Sequence, residues 1–188
     1  MKLILASGSP RRKEILGKMG YEFECLTSDA DETLPAGTPP ETGVEILARR
    51  KGEAVLPLVG NETAILSSDT LVELDGKPLG KPTDPDDARR MLRYMSGRTH
   101  TVRTGIAVRI GENCVSGVAS ADVTFRELTD GEIDAYVATG EPLDKAGAYG
   151  IQGRGGALVA SYSGDFDTIM GLSSTLTRDL FIKIGFEG

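Results

Sequence analysis

The chain has 188 residues, of which 39% are hydrophobic and 26% charged, a composition typical of a globular protein that buries a core. Its net charge of −7 at pH 7 argues against a long nucleic-acid footprint but does not exclude a small phosphorylated ligand. No apolar run approaches the roughly 20 residues that cross a bilayer, and the start lacks the pattern of a secretory signal. We therefore expect a cytoplasmic protein with neither a membrane nor a nucleic-acid partner.

Two residue types limit the possible chemistry further. Cys25 and Cys114 are too few for a disulfide framework or a four-cysteine zinc site, and we expect both to be small core residues. His100 is the one histidine, which excludes a histidine-rich metal site. A Ser-His-Asp triad would have to include His100, and we interpret this residue as structural instead.

The first predicted element is a short strand, followed by a Ser-Gly-Ser turn at residues 7–9 and a helix that begins at Pro10. Ser9 is a suitable N-cap, and a helix start offers N–H groups and partial positive charge to an anion. Arg11 and Arg12 add positive charge at this end, where the helix dipole disfavours it. Either they fold back over a surface helix or they bind a polyanion. The helical spacing of apolar residues turns Arg12 towards the interior.

The next predicted elements are a strand at Glu22–Leu26, an irregular acidic loop at Ser28–Pro40 and a helix at about Gly43–Val55. Lys51 lies on the apolar face of this helix. Its ammonium group either reaches the surface or meets an anion, and the sequence leaves both alternatives open.

A short apolar run at Ala64–Ser68 predicts a strand, with Asp69 and Thr70 at its carboxyl end. Sites in open α/β sheets lie at this end of the strands, so the pair is a candidate site. Ordinary turn chemistry is the alternative, because Asp commonly ends strands.

The rest of the chain is predicted to contain a hairpin, two long strands and one shorter strand, three helices and a glycine-rich loop. The hairpin turn is Asp75-Gly76, the long strands are about Thr99–Ile110 and Cys114–Arg126, and the shorter strand is Ala157–Ser161. The first helix starts at Asp84 and ends at Ser96-Gly97, the second runs from Thr129 to Gly140, and the last starts near Ser173. The loop is Glu141–Gly156. Strands that alternate with helices, followed by paired strands, predict a mixed sheet in an α/β or α+β fold.

Charged residues of both signs indicate a site for a metal-bound triphosphate. Carboxylates such as Glu32 and Asp69 suit a hard cation, while basic side chains neutralise phosphate oxygens. The basic candidates are Arg11, Arg12, Lys51 and Lys81. Standard nucleotide signatures are absent, because the segment from Gly76 to Lys81 is too short for a P-loop and Pro82 replaces its Ser/Thr.

Seven short motifs occur in order over nearly the whole chain. They are Ser7-Gly-Ser-Pro-Arg-Arg12, Asp31-Glu32, Ala48-Arg-Arg-Lys51, Ser68-Asp69-Thr70, Gly80-Lys-Pro82, Ser96-Gly-Arg-Thr-His100 and Glu141-Pro-Leu-Asp-Lys-Ala-Gly-Ala-Tyr-Gly-Ile-Gln-Gly153. Each motif alone is weak, but the ordered set resembles the Maf family of nucleoside triphosphate pyrophosphatases, first named as septum formation inhibitors.

This resemblance implies a single domain, residues 1–188, with an ITPase-like α/β architecture in which two lobes flank a nucleotide cleft, and it implies a homodimer. It also implies hydrolysis of a nucleoside triphosphate to the monophosphate and pyrophosphate. In that reaction Asp69 would accept the proton of the attacking water, and Glu32 and Asp69 would hold a divalent cation. Mg²⁺, Mn²⁺ and Co²⁺ all accept such oxygen ligands.

The resemblance also assigns roles position by position. The residues placed at the phosphates are Ser9, Arg12, Lys51 and Lys81. Those placed at base selection are Arg11, Thr70 and Gln152, whose pattern resembles the branch that hydrolyses dTTP and UTP. The amide of Gln152 suits this role, because it can both donate to and accept from a pyrimidine edge.

Two alternatives to a pyrimidine pyrophosphatase stay open. One is a related enzyme that removes non-canonical purine triphosphates such as ITP and XTP from the nucleotide pool. The other is a non-enzymatic binding protein that acts in cell-division arrest with nucleotide as its regulator. Phe166 and Ser173 depart from the tyrosine and proline of many Maf members, which affects the contacts of that loop and the start of the last helix.

Overall fold

The computed structural model describes residues 1–27 and 29–188. The strands are β1 (Leu3–Leu5), β2 (Glu24–Cys25), β3 (Ala64–Leu74), β4 (Lys77–Leu79), β5 (Thr99–Ile110), β6 (Asn113–Phe125) and β7 (Val159–Ser163). The helices are α1 (Pro10–Lys18), α2 (Pro40–Val59), α3 (Pro85–Met95), α4 (Asp130–Val137), α5 (Phe166–Met170) and α6 (Ser174–Ile184). Three short 3₁₀ segments lie between α4 and β7, at Glu141–Asp144, Ala146–Ala148 and Arg154–Leu158.

The strands form a seven-stranded mixed sheet in the order β2-β1-β3-β5-β6-β7, with β4 paired to β3. Strand β1 is parallel to both β2 and β3, whereas the β3–β4 and β6–β7 pairs are antiparallel. Parallel neighbours require crossover connections, which α1 and α2 provide. The predicted α/β class with a mixed sheet is therefore confirmed.

The chain divides into two compact units. Unit 1 comprises Met1–Thr70, Thr104–Ala119 and Met170–Gly188. Part of its core lies between β1, β3 and α2, where Ile4, Val55 and Ile65 are buried together. Strand β5 approaches α2 so closely that a Cβ atom on Gly105 would overlap the backbone carbonyl of Val44. Only glycine fits at this contact.

Unit 2 comprises Leu71–Arg103 and Ser120–Ile169. Its helices start as the sequence predicts: Asp84 accepts a hydrogen bond from the N–H of Asp87 at the start of α3, and Thr129 and Glu132 form a capping box at the start of α4. His100 is buried in the core of this unit, with Nε2 2.7 Å from the Tyr149 hydroxyl. This environment agrees with a structural histidine.

Several predicted boundaries are wrong, because local turn signals are weaker than tertiary pairing. Strand β2 has only two residues, and α2 extends beyond the predicted Gly43–Val55 at both ends, passing through Pro57 near its C-terminus. Helix α4 ends at Val137 rather than Gly140. Strand β7 starts at Val159 because the preceding residues form a 3₁₀ turn, and the five-residue helix α5 is not predicted by its short pattern.

Two further predictions concern single residues and loops. Cys25 is exposed on β2 and is not a core residue, while Cys114 is partly exposed. Both residues of that short strand are exposed, although it pairs with β1. The described residues 29 to 39 form no helix or strand, as predicted, whereas Ser28 lies outside the described residues.

No helix among the described residues is long and apolar enough to cross a membrane.

Candidate active site

Strand β3 carries Asp69 and Thr70 in its interior rather than at its end. The prediction that the strand stops at Ser68 is wrong, because β3 continues to Leu74 and pairs there with β4. Beyond Thr70 the buried residues alternate, with Val72 and Leu74 in the core. This period of two is typical of a half-buried strand, and it was hidden by the polar Ser-Asp-Thr sequence.

Arg12 lies behind this strand and is held by four hydrogen bonds. Its Nε donates to the carbonyl of Gly171 at 2.9 Å, and its Nη1 donates to the carbonyl of Ser68 at 2.8 Å and to Ser7 Oγ at 3.3 Å. Its Nη2 donates to Thr70 Oγ1 at 3.2 Å. Because a guanidinium has five N–H donors, the protein itself uses four of them. The prediction that Arg12 points inwards is confirmed.

The charge of Arg12 is set by its surroundings. Desolvation lowers the pKa of its guanidinium to about 10, an effect that Asp69 opposes and Arg11 reinforces. The side chain is therefore still a cation at neutral pH. It sits beside the carboxylate of Asp69 without an ion pair to it in the described structure, since its donors go to carbonyl and hydroxyl oxygens.

Two further side chains extend this cluster. Thr70 Oγ1 lies 3.0 Å from the hydroxyl oxygen of the fully buried Thr104. Ser68 Oγ donates to the carbonyl of Gly171 at 2.7 Å, so that carbonyl accepts from both Ser68 and Arg12. Gly171 has a φ of +105°, a conformation that favours glycine. Ser68 and Thr70, the residues on either side of Asp69, are thus held by hydrogen bonds to Arg12, Thr104 and Gly171.

The contacts of Lys51 decide between the two alternatives that the sequence left open, an ammonium group that reaches the surface or one that meets an anion. Its Nζ lies 2.5 Å from Asp69 Oδ1 and 2.9 Å from Glu32 Oε1, so the ammonium group meets anions supplied by the protein. Two hydrogen-bond lengths place the two carboxylates within roughly 5 Å of each other. Asp69 is only 15% exposed, whereas Glu32 is 64% exposed. The partly buried carboxylate of Asp69 is held by Lys51, and that of Glu32 is open to solvent.

The start of α1 faces the same region of unit 1. Ser9 is the N-cap residue, as predicted, but its side chain makes no capping hydrogen bond, and its N–H donates to Ser7 Oγ at 3.2 Å instead. Arg11 is partly exposed and has no hydrogen-bond or ion-pair partner among the described residues. The adjacent arginines therefore differ: Arg12 is bound to the protein, and Arg11 is available.

A cleft in unit 1 is lined by some of these residues, but Ser9, Arg11 and Asp69 are not among the described residues of its walls. Its volume is about 170 Å³, and its walls include Ser7 and Gly8 from the turn before α1, with Arg12, Glu32 and Lys51. Ligand pockets for drug-sized molecules have volumes of roughly 300–1,000 Å³. The cleft therefore has the size for part of a nucleotide, and its charged walls suit phosphate groups and a cation.

Lys81 and Gln152 belong to unit 2 and lie in loops. Lys81 is exposed and follows β4, and its side chain has no hydrogen-bond or ion-pair partner among the described residues. The carbonyl of the preceding residue, Gly80, accepts a hydrogen bond from the N–H of Gly147 at 3.0 Å. The loop of Lys81 is thereby attached to the glycine-rich segment that carries Gln152, whose side chain is exposed.

Sequence reasoning missed four residues that hold the site together. Ser7, Ser68, Thr104 and Gly171 are the partners of the Arg12–Thr70 cluster. Ser7 and Ser68 stand in recognised motifs, which was a usable signal. Thr104 and Gly171 carry no local signal, because their importance arises only from contacts between distant parts of the chain.

The fold and this geometry define an α/β protein whose candidate site suits a phosphorylated ligand and a hard cation. The comparisons give the particular family: residues 2–184 match the model of the family described as "Maf-like protein", so the chain belongs to the Maf-like family.

Relatives and solved structures provide further comparisons. The dTTP/UTP pyrophosphatase of Moorella thermoacetica is 48% identical over 188 residues, covering 99% of this chain and 96% of the relative. The dTTP/UTP pyrophosphatase of Chromobacterium violaceum is 45% identical over 190 residues, with the same two coverages. Among solved structures, the Ham1 protein of Staphylococcus aureus matches with a TM-score of 0.47 and 16% identity over 69% of this chain and 73% of that chain.

Proposed function

We propose that this chain hydrolyses dTTP and UTP, modified forms included, to the nucleoside monophosphate and pyrophosphate. Membership of the Maf-like family and the names of the relatives support this activity. The observation that carries the proposal in the structure is the pairing of Lys51 with Asp69 and Glu32 beside the start of α1. Carboxylates suit a cation, and a fixed ammonium group and the N–H groups of a helix start suit the phosphate oxygens on which charge develops in phosphate-anhydride hydrolysis.

Asp69 is the proton acceptor in this proposal. The oxygen of a water molecule forms a bond to phosphorus, the bridging P–O bond between the α- and β-phosphates breaks, and the bridging oxygen leaves with one of the two products. Asp69 takes the proton that the water loses. The hydrogen bond from Lys51 and the anchored residues on either side hold this carboxylate in place before substrate arrives.

A divalent cation fits the residues present. Mg²⁺ is commonly held by one or two carboxylates together with substrate phosphates and water, and Glu32 and Asp69 supply such a pair. Among the described residues, no group of three or more His, Cys, Asp or Glu side chains could hold a metal ion. The bound cation would neutralise charge on the phosphate oxygens. The donor set accepts Mg²⁺, Mn²⁺ or Co²⁺.

The candidate phosphate-binding residues differ in how much of their hydrogen-bonding capacity other described residues already use. Ser9, Lys51 and Lys81 are assigned to the phosphates, and Arg12 has one N–H that donates to no other described residue. We propose that Arg12 acts mainly by fixing the segment around Asp69 and contributes at most one bond to phosphate.

Base selection is assigned to Arg11, Thr70 and Gln152. Arg11 and Gln152 are available for direct contact, because neither side chain is bound to another described residue. Thr70 differs, since its hydroxyl is engaged with Arg12 and Thr104. We propose that Thr70 influences preference through the position of strand β3 rather than through a bond to the base. The homodimer and the cytoplasmic location stay predictions.

The test is pyrophosphate release from a panel of triphosphates with each of the three metals, comparing wild type with Asp69→Asn. The variant should lose turnover by at least about a thousandfold while still binding nucleotide, because Asn cannot accept the proton. Asp75→Asn is the matched control: Asp75 lies in the β3–β4 turn, bound to Arg98, at a φ of +54° that Asn tolerates. Its turnover should stay at the wild-type rate.

The same panel separates the alternatives. A preference for ITP or XTP over dTTP and UTP would overturn the pyrimidine assignment and support a purine pyrophosphatase. Nucleotide binding without pyrophosphate release under every metal would support a regulated binding protein. Wild-type turnover in Asp69→Asn would show that the proton acceptor is a different group. Activity that survives removal of divalent cations by a chelator would overturn the metal requirement.

A further inference from the structure

The carboxylate of Glu141 accepts hydrogen bonds from the backbone of the glycine-rich segment in unit 2 and from a neighbouring tyrosine. Its Oε1 accepts from the Tyr136 hydroxyl at 2.9 Å and from the N–H of Gly155 at 3.1 Å, and its Oε2 accepts from the N–H of Arg154 at 3.0 Å. Tyr136 continues the network, because its oxygen accepts from the N–H of Gly150 at 3.2 Å. One side chain and its partner thus bind backbone groups on both sides of Gln152.

The packing around this carboxylate leaves no room for side chains at two positions of the loop. A Cβ atom on Gly153 would overlap the Glu141 carboxylate, and one on Gly155 would lie 2.6 Å from the Tyr136 hydroxyl. Both contacts would be closer than 3.0 Å, a separation that real Cβ atoms essentially never show. Glycine at these two positions is therefore a consequence of the close approach of Glu141 and Tyr136.

Gln152 is held between two fixed neighbours. On one side Ile151 packs against the hydrophobic core of unit 2, and on the other Gly153 lies under the Glu141 carboxylate. The side chain of Gln152 itself is exposed and makes no hydrogen bond to another described residue. A long side chain on a fixed backbone loses less freedom when it binds a ligand than one on a mobile loop.

The charge of Glu141 agrees with this function. Desolvation raises the pKa of its carboxyl group, but the hydrogen bonds from Gly155, Arg154 and Tyr136 outweigh that effect and hold the pKa below its ordinary value. The group is thus an anion at neutral pH, and anions are strong acceptors of backbone N–H bonds.

We propose that Glu141 is a positioning residue for nucleotide selection: its carboxylate binds the backbone that follows Gln152 and holds Tyr136, which binds the backbone that precedes it, and so determines where the amide of Gln152 meets the base. This inference rests on the proposed function, in which Gln152 selects the base. Glu141 itself touches no substrate, and its effect passes through Gln152.

Kinetics provide the first test. Glu141→Gln replaces one acceptor oxygen by an NH₂ group, which opposes the N–H of Arg154. Contacts to the base exist in both the ground state and the transition state, so we expect KM for dTTP to rise by about tenfold with kcat changed by less than about twofold. Preference for dTTP and UTP over CTP should fall in parallel, as in Gln152→Ala.

The double variant distinguishes positioning from simple stability. If Glu141 acts through Gln152, adding Glu141→Gln to Gln152→Ala should change kcat/KM by less than about twofold, because the contact is already lost. Glu132→Gln is the matched control. Glu132 also accepts a backbone N–H in unit 2, from Thr129 at 2.8 Å, but it does not contact the glycine-rich segment. Its KM and base preference should equal those of wild type.

Limited trypsin digestion of the full chain provides a test that does not depend on activity. Arg154 is exposed, and the peptide bond after it joins the two residues whose N–H groups Glu141 binds. Cleavage there gives fragments that end at residue 154 and start at residue 155. We expect Glu141→Gln to be cleaved at this bond at least about tenfold faster than wild type, with Glu132→Gln at the wild-type rate.

Tyr136→Phe keeps the test informative if Glu141→Gln folds poorly. It removes one hydroxyl and should shift KM and cleavage in the same direction by a smaller factor. Multiplicative effects in the double variant, an effect on kcat alone, or unchanged cleavage would each overturn the positioning role. Failure of the proposed function is a separate result: wild type would release no pyrophosphate from any pyrimidine triphosphate, while the trypsin comparison would still decide whether Glu141 holds the loop.

Discussion

Substitution by lysine is expected to have different effects at Arg11 and Arg12, the two neighbouring arginines at the start of α1. Arg12→Lys keeps the positive charge but replaces a planar group with five donors by a single nitrogen with three. The four acceptors of Arg12 belong to Ser7, Ser68, Thr70 and Gly171, which approach the guanidinium from different directions. One ammonium group can reach at most about two of them.

The magnitude follows from the bonds that are lost. Two hydrogen bonds from a charged donor, at roughly 1–2 kcal/mol each, give a loss of about 2–4 kcal/mol in the free energy of unfolding. In a chain of this length 1 kcal/mol corresponds to roughly 2–4 °C in Tm, so the midpoint should fall by about 4–16 °C. Arg11→Lys should change the unfolding free energy by less than about 0.5 kcal/mol, because Arg11 has no partner among the described residues.

The assay is urea unfolding at pH 7 for wild type and both variants, followed by pyrophosphate release. Displacement of the segment around Asp69 should lower kcat for Arg12→Lys, whereas Arg11→Lys should act mainly on the preference between nucleotides. Equal unfolding free energies for the two variants would refute the assignment of Arg12 to the protein interior. They would indicate that its guanidinium is free to serve the substrate alone.

Two other predictions concern the core of each unit. Burial lowers the pKa of His100 from 6.5 to about 4, so as pH falls through this range the unfolded chain binds a proton that the folded chain does not, and stability is lost. Between pH 7 and pH 5 wild type should lose about 2 kcal/mol more than His100→Gln in urea unfolding, and equal losses would contradict the buried neutral histidine. Gly105→Ala should cost more than about 2 kcal/mol in thermal unfolding, because its methyl group would overlap Val44. Gly17→Ala has open space around it in α1 and should stabilise by up to about 1 kcal/mol, so similar shifts in these two variants would refute the packing argument.

Helical periodicity predicted the most useful features of the candidate site. The position of Arg12 on the apolar face of α1 indicated an inward side chain, and the position of Lys51 on α2 indicated a possible anion. Both follow from the 3.6-residue period alone. What the period does not contain is the identity of the partner, since Asp69 is 18 residues from Lys51 and reaches it only through the pairing of β3 in the sheet.

The end of β3 shows why other features were not predictable. A Ser-Asp-Thr sequence has strong turn chemistry, and locally it favours the end of a strand. The strand continues because its second half pairs with β4 across the Asp75-Gly76 turn, and this pairing outweighs the local preference. Propensity in strands depends on such neighbours more than on the residue itself.

The same limit applies to the residues that hold the site. Arg12 is bound by groups at positions 7, 68, 70 and 171, and Glu141 is bound by groups from three separate positions of its unit. A motif marks that such residues recur together, but it does not say which of them contact ligand and which contact one another. Hydrogen-bond directions in the structure make this distinction.

The charge at the start of α1 has a different explanation once those directions are known. From the sequence, two arginines at the positive end of a helix dipole either fold back over a surface helix or bind a polyanion that offsets their repulsion. For Arg12 the structure supplies two carbonyl oxygens and two hydroxyls, together with the nearby carboxylate of Asp69. The conflict is therefore resolved within the protein for one arginine and left open for the other. In the proposed function, Arg11, the helix N–H groups and Lys51 are the positive groups that would attract a phosphate chain, and Arg12 would hold the segment around Asp69 in position.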